Sequence, residues 1–301
     1  MALPDYSALG HKEILVSLEN HIVVIVINRA KYRNTYNQRT VHELNEVFDL
    51  CDRDDRVRAV ILTAEHDAPA FCSGADISGG WDILWSPETL SEGDQAHRDT
   101  GGTLSVAVYR CRKITIAAVN GHAAGVGMTA LQLPFDFRFV WAGAKLTFPF
   151  VRRGIAPEAV SSYLLPRLLG HSRASSLLLT GATVSPNSPY IEALYHKILP
   201  TREEVLPAAK AFAEELVANT SQVAIAYAKG LLQHPGESIE ENHLIDSRII
   251  RTLASSPDGA EGVNAFKERR IPKFTETLSQ HSSPFYPWWW RLDIKHRRTK
   301  L

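Results

Sequence analysis

"AAVNGHAAGVGMTALQLPF", residues Ala117–Phe135, decides how this chain folds. An apolar run ends at Val119, a turn with Gly121, Gly125 and Gly127 follows, and an apolar, helix-like run starts near Met128. A strand that turns into a helix points several unpaired backbone N–H groups at one spot, where negative charge is stabilised. Taken alone, the pattern fits a tight turn packed in a core at least as well. A second apolar-to-glycine stretch, "AFCSGADIS" at Ala70–Ser78, raises the functional reading because it can supply a partner donor.

Outward from that turn, strands alternate with helices. Ile14–Leu18 and His21–Ile27 read as strands joined by a tight turn at Glu19–Asn20, and Val57–Thr63, Thr115–Val119, Phe137–Val140 and Lys145–Phe148 as further strands. Thr40–Asp54 has the helical period, with Thr40 as its cap, and Leu104–Cys111 is helical. Trp81–Gly102 is irregular and polar, a mobile segment. From Val160 helices dominate: Val160–Leu169, Arg173–Leu179, Glu203–Ala218, Gln222–Leu232, Ser238–Ala254 and Pro257–Arg270, with a short αβ element around Tyr190–Leu199. The pattern predicts an α/β core followed by a helical C-terminal layer.

Composition narrows the class. Lys plus Arg number 33 and Asp plus Glu 33, so no charge excess points to nucleic acid or a membrane surface. No apolar run is long enough to span a bilayer, and "MALPDYSALGHKE" has neither a signal-peptide core nor an Arg-rich transit pattern. Cys51, Cys72 and Cys111 are too scattered for a disulfide framework or a zinc cluster and read as reduced core thiols of a soluble intracellular protein.

If the two glycine-bearing loops meet, their N–H groups form a two-donor pocket for a carbonyl oxygen that becomes an oxyanion, each donor worth roughly 3 kcal/mol in the transition state. Neither loop carries a nucleotide-phosphate motif, and "GHAAG" is not a G-x-S-x-G nucleophile elbow. His122 has no evident Cys or Asp relay and reads as a loop or packing residue.

"FCSGADIS", "AAVNGHAAGVGMTALQLPFDFRFV" and "LTFPFVRRGIAPEAVSSYLLPRLLG", in that order, resemble the crotonase (enoyl-CoA hydratase/isomerase) superfamily over about residues 11 to 200. Within it the chain is most similar to the Δ3,Δ2-enoyl-CoA isomerases of the peroxisomal type. The resemblance implies a crotonase-like ββα spiral core with the acyl-CoA site (residues 1–200), a C-terminal helical oligomerisation or cover region (201–280) and a tail (281–301). It implies an acyl-CoA substrate whose thioester oxygen lies between the backbone N–H groups of Ala75 and Val126. No metal or separate cofactor is implied, since coenzyme A is part of the substrate. Ser73, Gly74, Ala75, Asp76 and Ile77 would run along the pantetheine and adenine, with Arg33 by the phosphates and Asp76 acting through loop structure.

Hydratases of the superfamily carry two pocket glutamates, at positions held here by Thr129 and Phe150. Water addition needs an acid and a base in concert, so their absence argues against hydration. The peroxisomal-type isomerases use one glutamate in the turn before the next helix, and "GIAPEAVSSYLLP" places Glu158 there. On pattern alone Pro157–Glu158 is an ordinary helix start, with Glu beside the positive dipole end. Ala159 stands where many relatives have Gly. The implied reaction moves a 3-enoyl-CoA double bond to the trans-2 position in fatty acid β-oxidation. Alternatives are another acyl-CoA reaction of the superfamily (hydratase, thioesterase, dienoyl-CoA isomerase or a secondary-metabolite side-chain step) or a silent acyl-CoA-binding subunit.

The family also implies a homotrimer or hexamer. The final Thr299-Lys300-Leu301 resembles the Ser-Lys-Leu peroxisomal address, which makes the import receptor a partner and the peroxisome the expected compartment, with the cytoplasm as the alternative. The Trp288–Trp290 run is unusual for an exposed tail.

Overall fold

Ile14–Glu19 (β1) and Ile22–Ile27 (β2) pair antiparallel around a two-residue turn. Asn20 and His21 both take positive φ there, 48° and 68°, the geometry that matches a two-residue hairpin to strand twist. The turn thus sits one position later than Glu19–Asn20. The computed structural model describes residues 3–81, 97–281 and 285–289.

From β2 the sheet continues through Ala59–Ala64 (β3), Ile114–Val119 (β4), Phe137–Trp141 (β6) and Lys197–Leu199 (β9), every one of these pairings parallel. All residues of β3 and β4 are buried, as expected for parallel strands covered on both faces. A smaller sheet joins Ala123–Ala124 (β5), Leu146–Thr147 (β7) and Thr183–Val184 (β8). Its two-residue strands fix the backbone just before Val126. Strand periodicity cannot reveal β5 or β8 at that length.

Gln38–Arg53 (α1) buries Val41, Leu44, Val47, Phe48 and Cys51. Its cap is Asn37, not Thr40: the Asn37 side-chain oxygen accepts from the Thr40 N–H at 2.8 Å and from its hydroxyl at 2.9 Å. Thr100–Arg110 (α2) begins earlier than Leu104 because Asp99 caps it. Within the span expected to be irregular, residues 82–96 lie outside those described, while Thr100–Gly102 are already helical. Ser161–Leu169 (α3), His171–Leu178 (α4) and Val205–Asn219 (α5) follow.

The chain divides into two compact units, Met1–Val217 and Ala218–Leu301. The division falls after Val217 rather than residue 200. Val205, Ala209 and Ala213 of α5 are buried, and Phe212 packs against Phe137 and His196 at 4.8 and 4.5 Å. The second unit holds Gln222–Gln233 (α6), Ile239–Ala254 (α7) and Pro257–Glu268 (α8). Its core is Val223, Tyr227, Ile245 and Ile249. Trp288 packs on that core and donates its indole N–H to the His234 carbonyl at 3.0 Å, while Trp289 stacks on the His234 ring. Trp290 and Thr299–Leu301 lie outside the described residues. Among those described, no helix is long and apolar enough to cross a membrane.

Candidate active site

The two glycine-bearing loops meet. Cys72 N–H donates to the His122 carbonyl at 3.2 Å, and Ala124 N–H returns a bond to the Cys72 carbonyl at 3.0 Å. The approach leaves no room for a side chain at Gly127, where a Cβ would stand 2.4 Å from the Cys72 carbonyl oxygen. The Ser73 N–H and hydroxyl both donate to the Arg33 carbonyl, at 3.2 and 3.0 Å. Tyr36 pairs beside Ala75, with its N–H on the Gly74 carbonyl and the Asp76 N–H on its own carbonyl. These bonds hold Ala75 at the wall of a cavity of about 320 Å³, and Val126 lines the same cavity. Ser73, Gly74, Asp76, Ile77 and Glu158 line it too.

The helix expected from Met128 does not form. Gly125–Gly127 make a single 3₁₀ turn, and the chain then winds irregularly to Pro134. Local backbone bonds and Arg138 explain why this is tolerated. The turn keeps backbone bonds of its own, Ala130 N–H to the Val126 carbonyl and Leu133 N–H to the Thr129 carbonyl, both at 3.1 Å. At its end the buried Arg138 guanidinium donates to the carbonyls of Gln132 (3.1 Å) and Phe135 (2.5 Å) and ties them to that of Leu194 (2.8 Å).

Glu158 precedes α3 in a turn where Ala159 and Val160 both have positive φ, 56° and 60°. The left-handed geometry that suits glycine is thus kept with Ala159 in its place. α2 clamps the turn from one side. Asp99 accepts from the Ala159 N–H at 3.3 Å, and the Ser105 hydroxyl donates to the Ala159 carbonyl at 2.9 Å. The Thr129 hydroxyl donates to Glu158 Oε1 at 2.5 Å. Burial pushes the Glu158 carboxyl up to about 8, against the Thr129 bond and with help from Asp99. Phe150 supplies an apolar wall.

Other candidates recede. Burial pushes the Cys72 thiol up to about 12, so it is not a thiolate nucleophile near neutrality. His122 Nδ1 accepts from the Lys145 N–H at 3.0 Å and its ring packs on Trp141, a structural role. Among the described residues, no group of three or more His, Cys, Asp or Glu is placed to hold a metal.

A cavity walled by both glycine-bearing loops and by a half-buried carboxyl suits carbanion chemistry next to a thioester. The family model described as enoyl-CoA hydratase/isomerase matches residues 17–277. The chain belongs to this family. Like other members of the enoyl-CoA hydratase/isomerase family, it is an α/β protein acting on acyl-CoA substrates. It is 37% identical over 261 residues to an enoyl-CoA hydratase, AFT3-1, of Alternaria alternata, covering 87% of this chain and 85% of that one. A probable enoyl-CoA hydratase/isomerase from Mycobacterium abscessus superposes with a TM-score of 0.79 at 31% identity, covering 88% of this chain and 99% of the other. An enoyl-CoA hydratase from Bacillus anthracis gives 0.76 at 26% identity, covering 87% and 99%.

Arg33 is exposed and outside the cavity wall; what it contributes there is its carbonyl, which pins Ser73. The sequence pattern did not single out Asp99, Tyr36 or Ser105. Asp99 had a legible signal, an Asp ahead of a helix, but Gly101 and Gly102 directly after it mask the helix start. Thr129 stood out only as a missing carboxylate, yet it holds Glu158.

Proposed function

We propose that this family member is a Δ3,Δ2-enoyl-CoA isomerase. The observation that carries the reading is Glu158 in the cavity wall, with Thr129 and Phe150 at the positions where hydratases carry carboxylates. Asp76, the other carboxylate of that wall among the described residues, is bonded to Arg29 and Ser78. A 3-enoyl-CoA thioester oxygen accepts from the N–H groups of Ala75 and Val126. Glu158 takes a C2 proton, and the electron pair of the C–H bond delocalises into a dienolate whose oxyanion those donors stabilise. The same carboxyl delivers the proton to C4, forming the conjugated trans-2-enoyl-CoA. A carboxyl titrating near 8 is suited to both taking and giving the proton.

Ser73–Ile77 would follow the pantetheine and adenine, and the Arg33 guanidinium would meet the phosphates. We extend the proposal to β-oxidation in the peroxisome, with Thr299-Lys300-Leu301 as the address, and to self-association as a homotrimer or hexamer. Fusing the last dozen residues to a fluorescent reporter tests the address; a diffuse signal rejects it.

The test of the chemistry is trans-3-hexenoyl-CoA turnover. Wild type should yield the conjugated thioester, and Glu158→Gln should lower kcat by about 100-fold or more. Retained turnover in E158Q rejects the base. The names of the relatives favour a second reading, hydration; 3-hydroxyacyl-CoA as the main product from trans-2-hexenoyl-CoA, with no conversion of the 3-enoyl substrate, would establish it instead.

A further inference from the structure

The Glu158 carboxyl has a carboxyl neighbour. Asp99 caps α2, accepting from the Gly102 N–H at 2.6 Å, and the same Oδ1 accepts from the Ala159 N–H at 3.3 Å. One carboxylate oxygen therefore ties the start of α2 to the turn that carries Glu158. A Cβ on Gly102 would stand 2.6 Å from Asp99 Oδ2 and one on Gly101 2.0 Å from Glu158 Oε2, so the two carboxyls flank the same turn of α2. Two carboxyls can bond each other only when one of them carries a proton. The Gly102 N–H at the start of α2 and the Ala159 N–H suit an anion on Asp99, so a proton held between the two carboxyls sits on Glu158.

Gly101 makes the contact possible. A Cβ there would stand 2.0 Å from Glu158 Oε2 and 3.0 Å from the Ala159 Cβ. Any side chain at that position displaces the carboxyl. Oε1 is held by Thr129, so Oε2 lies against the first turn of α2, whose cap is Asp99. Gly101 and Thr100 reach the cavity wall, whereas Asp99 does not. Asp99 therefore acts through Glu158 and not on the substrate.

We propose that Asp99 is a positioning residue that retains the proton on Glu158 between its removal from C2 and its delivery to C4. The inference rests on Glu158 being the proton carrier. In the first half-reaction the C2–H bond breaks and the proton moves to Glu158, which then donates it in a hydrogen bond to Asp99. In the second half-reaction that O–H bond breaks, the C4–H bond forms, and Glu158 returns to its starting state. Asp99 neither gains nor loses a proton over the cycle. Without the acceptor, protonated Glu158 loses a partner and exchanges its proton with water more readily.

The other ionisable groups acting on Glu158 are Tyr36, next to the first donor loop, and Cys72, within that loop. Burial raises both, so both are neutral near neutral pH. Asp76 and Arg153 share the cavity wall with Glu158.

Asp99→Asn tests the inference, because the amide oxygen still accepts from Gly102 and Ala159 while the charge is gone. With trans-3-hexenoyl-CoA, kcat should fall about tenfold with KM within about twofold. The rising limb of the kcat/KM pH profile should move about one unit toward acid, since a neutral neighbour no longer opposes ionisation of Glu158. In deuterated water, the fraction of product carrying deuterium at C4 should rise at least about threefold over wild type. A purely structural cap would lower the melting temperature and leave the limb and the deuterium fraction unmoved, which overturns the proposal. If D99N does not fold, Asp99→Ser, which keeps a capping oxygen, is read the same way. The two readings fail differently. An inactive E158Q with an unmoved D99N limb rejects the role of Asp99 alone, whereas an active E158Q rejects the proton carrier itself.

Discussion

Glu158 must be charged to take a proton and neutral to give one, and burial sets where it changes over. With its carboxyl pushed up to about 8, wild-type kcat/KM should rise with pH through that value, and a limb near the ordinary 4.5 would contradict the environment described. The same shift governs stability. Between 4.5 and about 8 the folded chain holds a proton that the unfolded chain has released, so this group's contribution to stability falls as pH rises through that window. Glu158→Gln removes the dependence. Its melting temperature should gain on wild type from about pH 5 to about pH 9, and a constant difference would reject the shift. The neighbouring backbone carries a separate cost. Val160 is β-branched at φ 60°, a conformation such residues rarely adopt. Val160→Gly should raise stability by about 1 kcal/mol in thermal or urea unfolding, the relieved strain exceeding the added chain entropy.

The turn from Gly125 to Phe135 shows which features of the site can be read from residue order. The sharp turn after β4 was legible, because a strand end followed by glycines forces the chain to turn whatever comes next. The buried strands β3 and β4 were legible as unbroken apolar runs. The helix from Met128 was not a sound expectation, because its apolar pattern serves a winding turn whose end is held by Arg138, and no local pattern marks that partnership. Asp99 was missed for a related reason: its contact with Glu158 joins residues far apart in the chain. Arg138→Leu tests the account of the turn. It removes the Arg138 bonds to the Phe135 and Leu194 carbonyls, while Gln132 keeps the Phe135 N–H at 3.2 Å, and should destabilise the chain by about 2 kcal/mol or more in urea unfolding. The disturbance should reach the Val126 donor and lower kcat as well. A loss below about 1 kcal/mol would mean that the turn satisfies its carbonyls by other means.

The second unit leaves several large apolar side chains outside its own core. Leu232, Ile239 and Phe266 are 84%, 82% and 85% exposed, and Ile250 is 65% exposed. Ile239 and Ile250 stand on one face of α7 about three turns apart, while Ile245 and Ile249 take the face toward the unit's own core. On α8 Val263 and Phe266 share a face in the same way. Side chains of this size left in water cost roughly 1.5–3 kcal/mol each relative to burial, and exposed apolar patches mark contact surfaces. The chain has no net charge, with Lys plus Arg equal to Asp plus Glu, so an apolar partner fits better than a strongly charged one. A second copy is always present at matching concentration, and closed symmetric assemblies are the usual outcome of such surfaces. Light scattering after size exclusion should give a mass of three or six chains. The double variant Ile250→Glu and Phe266→Glu should shift it to one chain, with the far-UV circular dichroism unchanged because neither side chain is part of the buried core. A wild-type monomer, or an assembly that both charges leave intact, would assign these faces to something other than self-association.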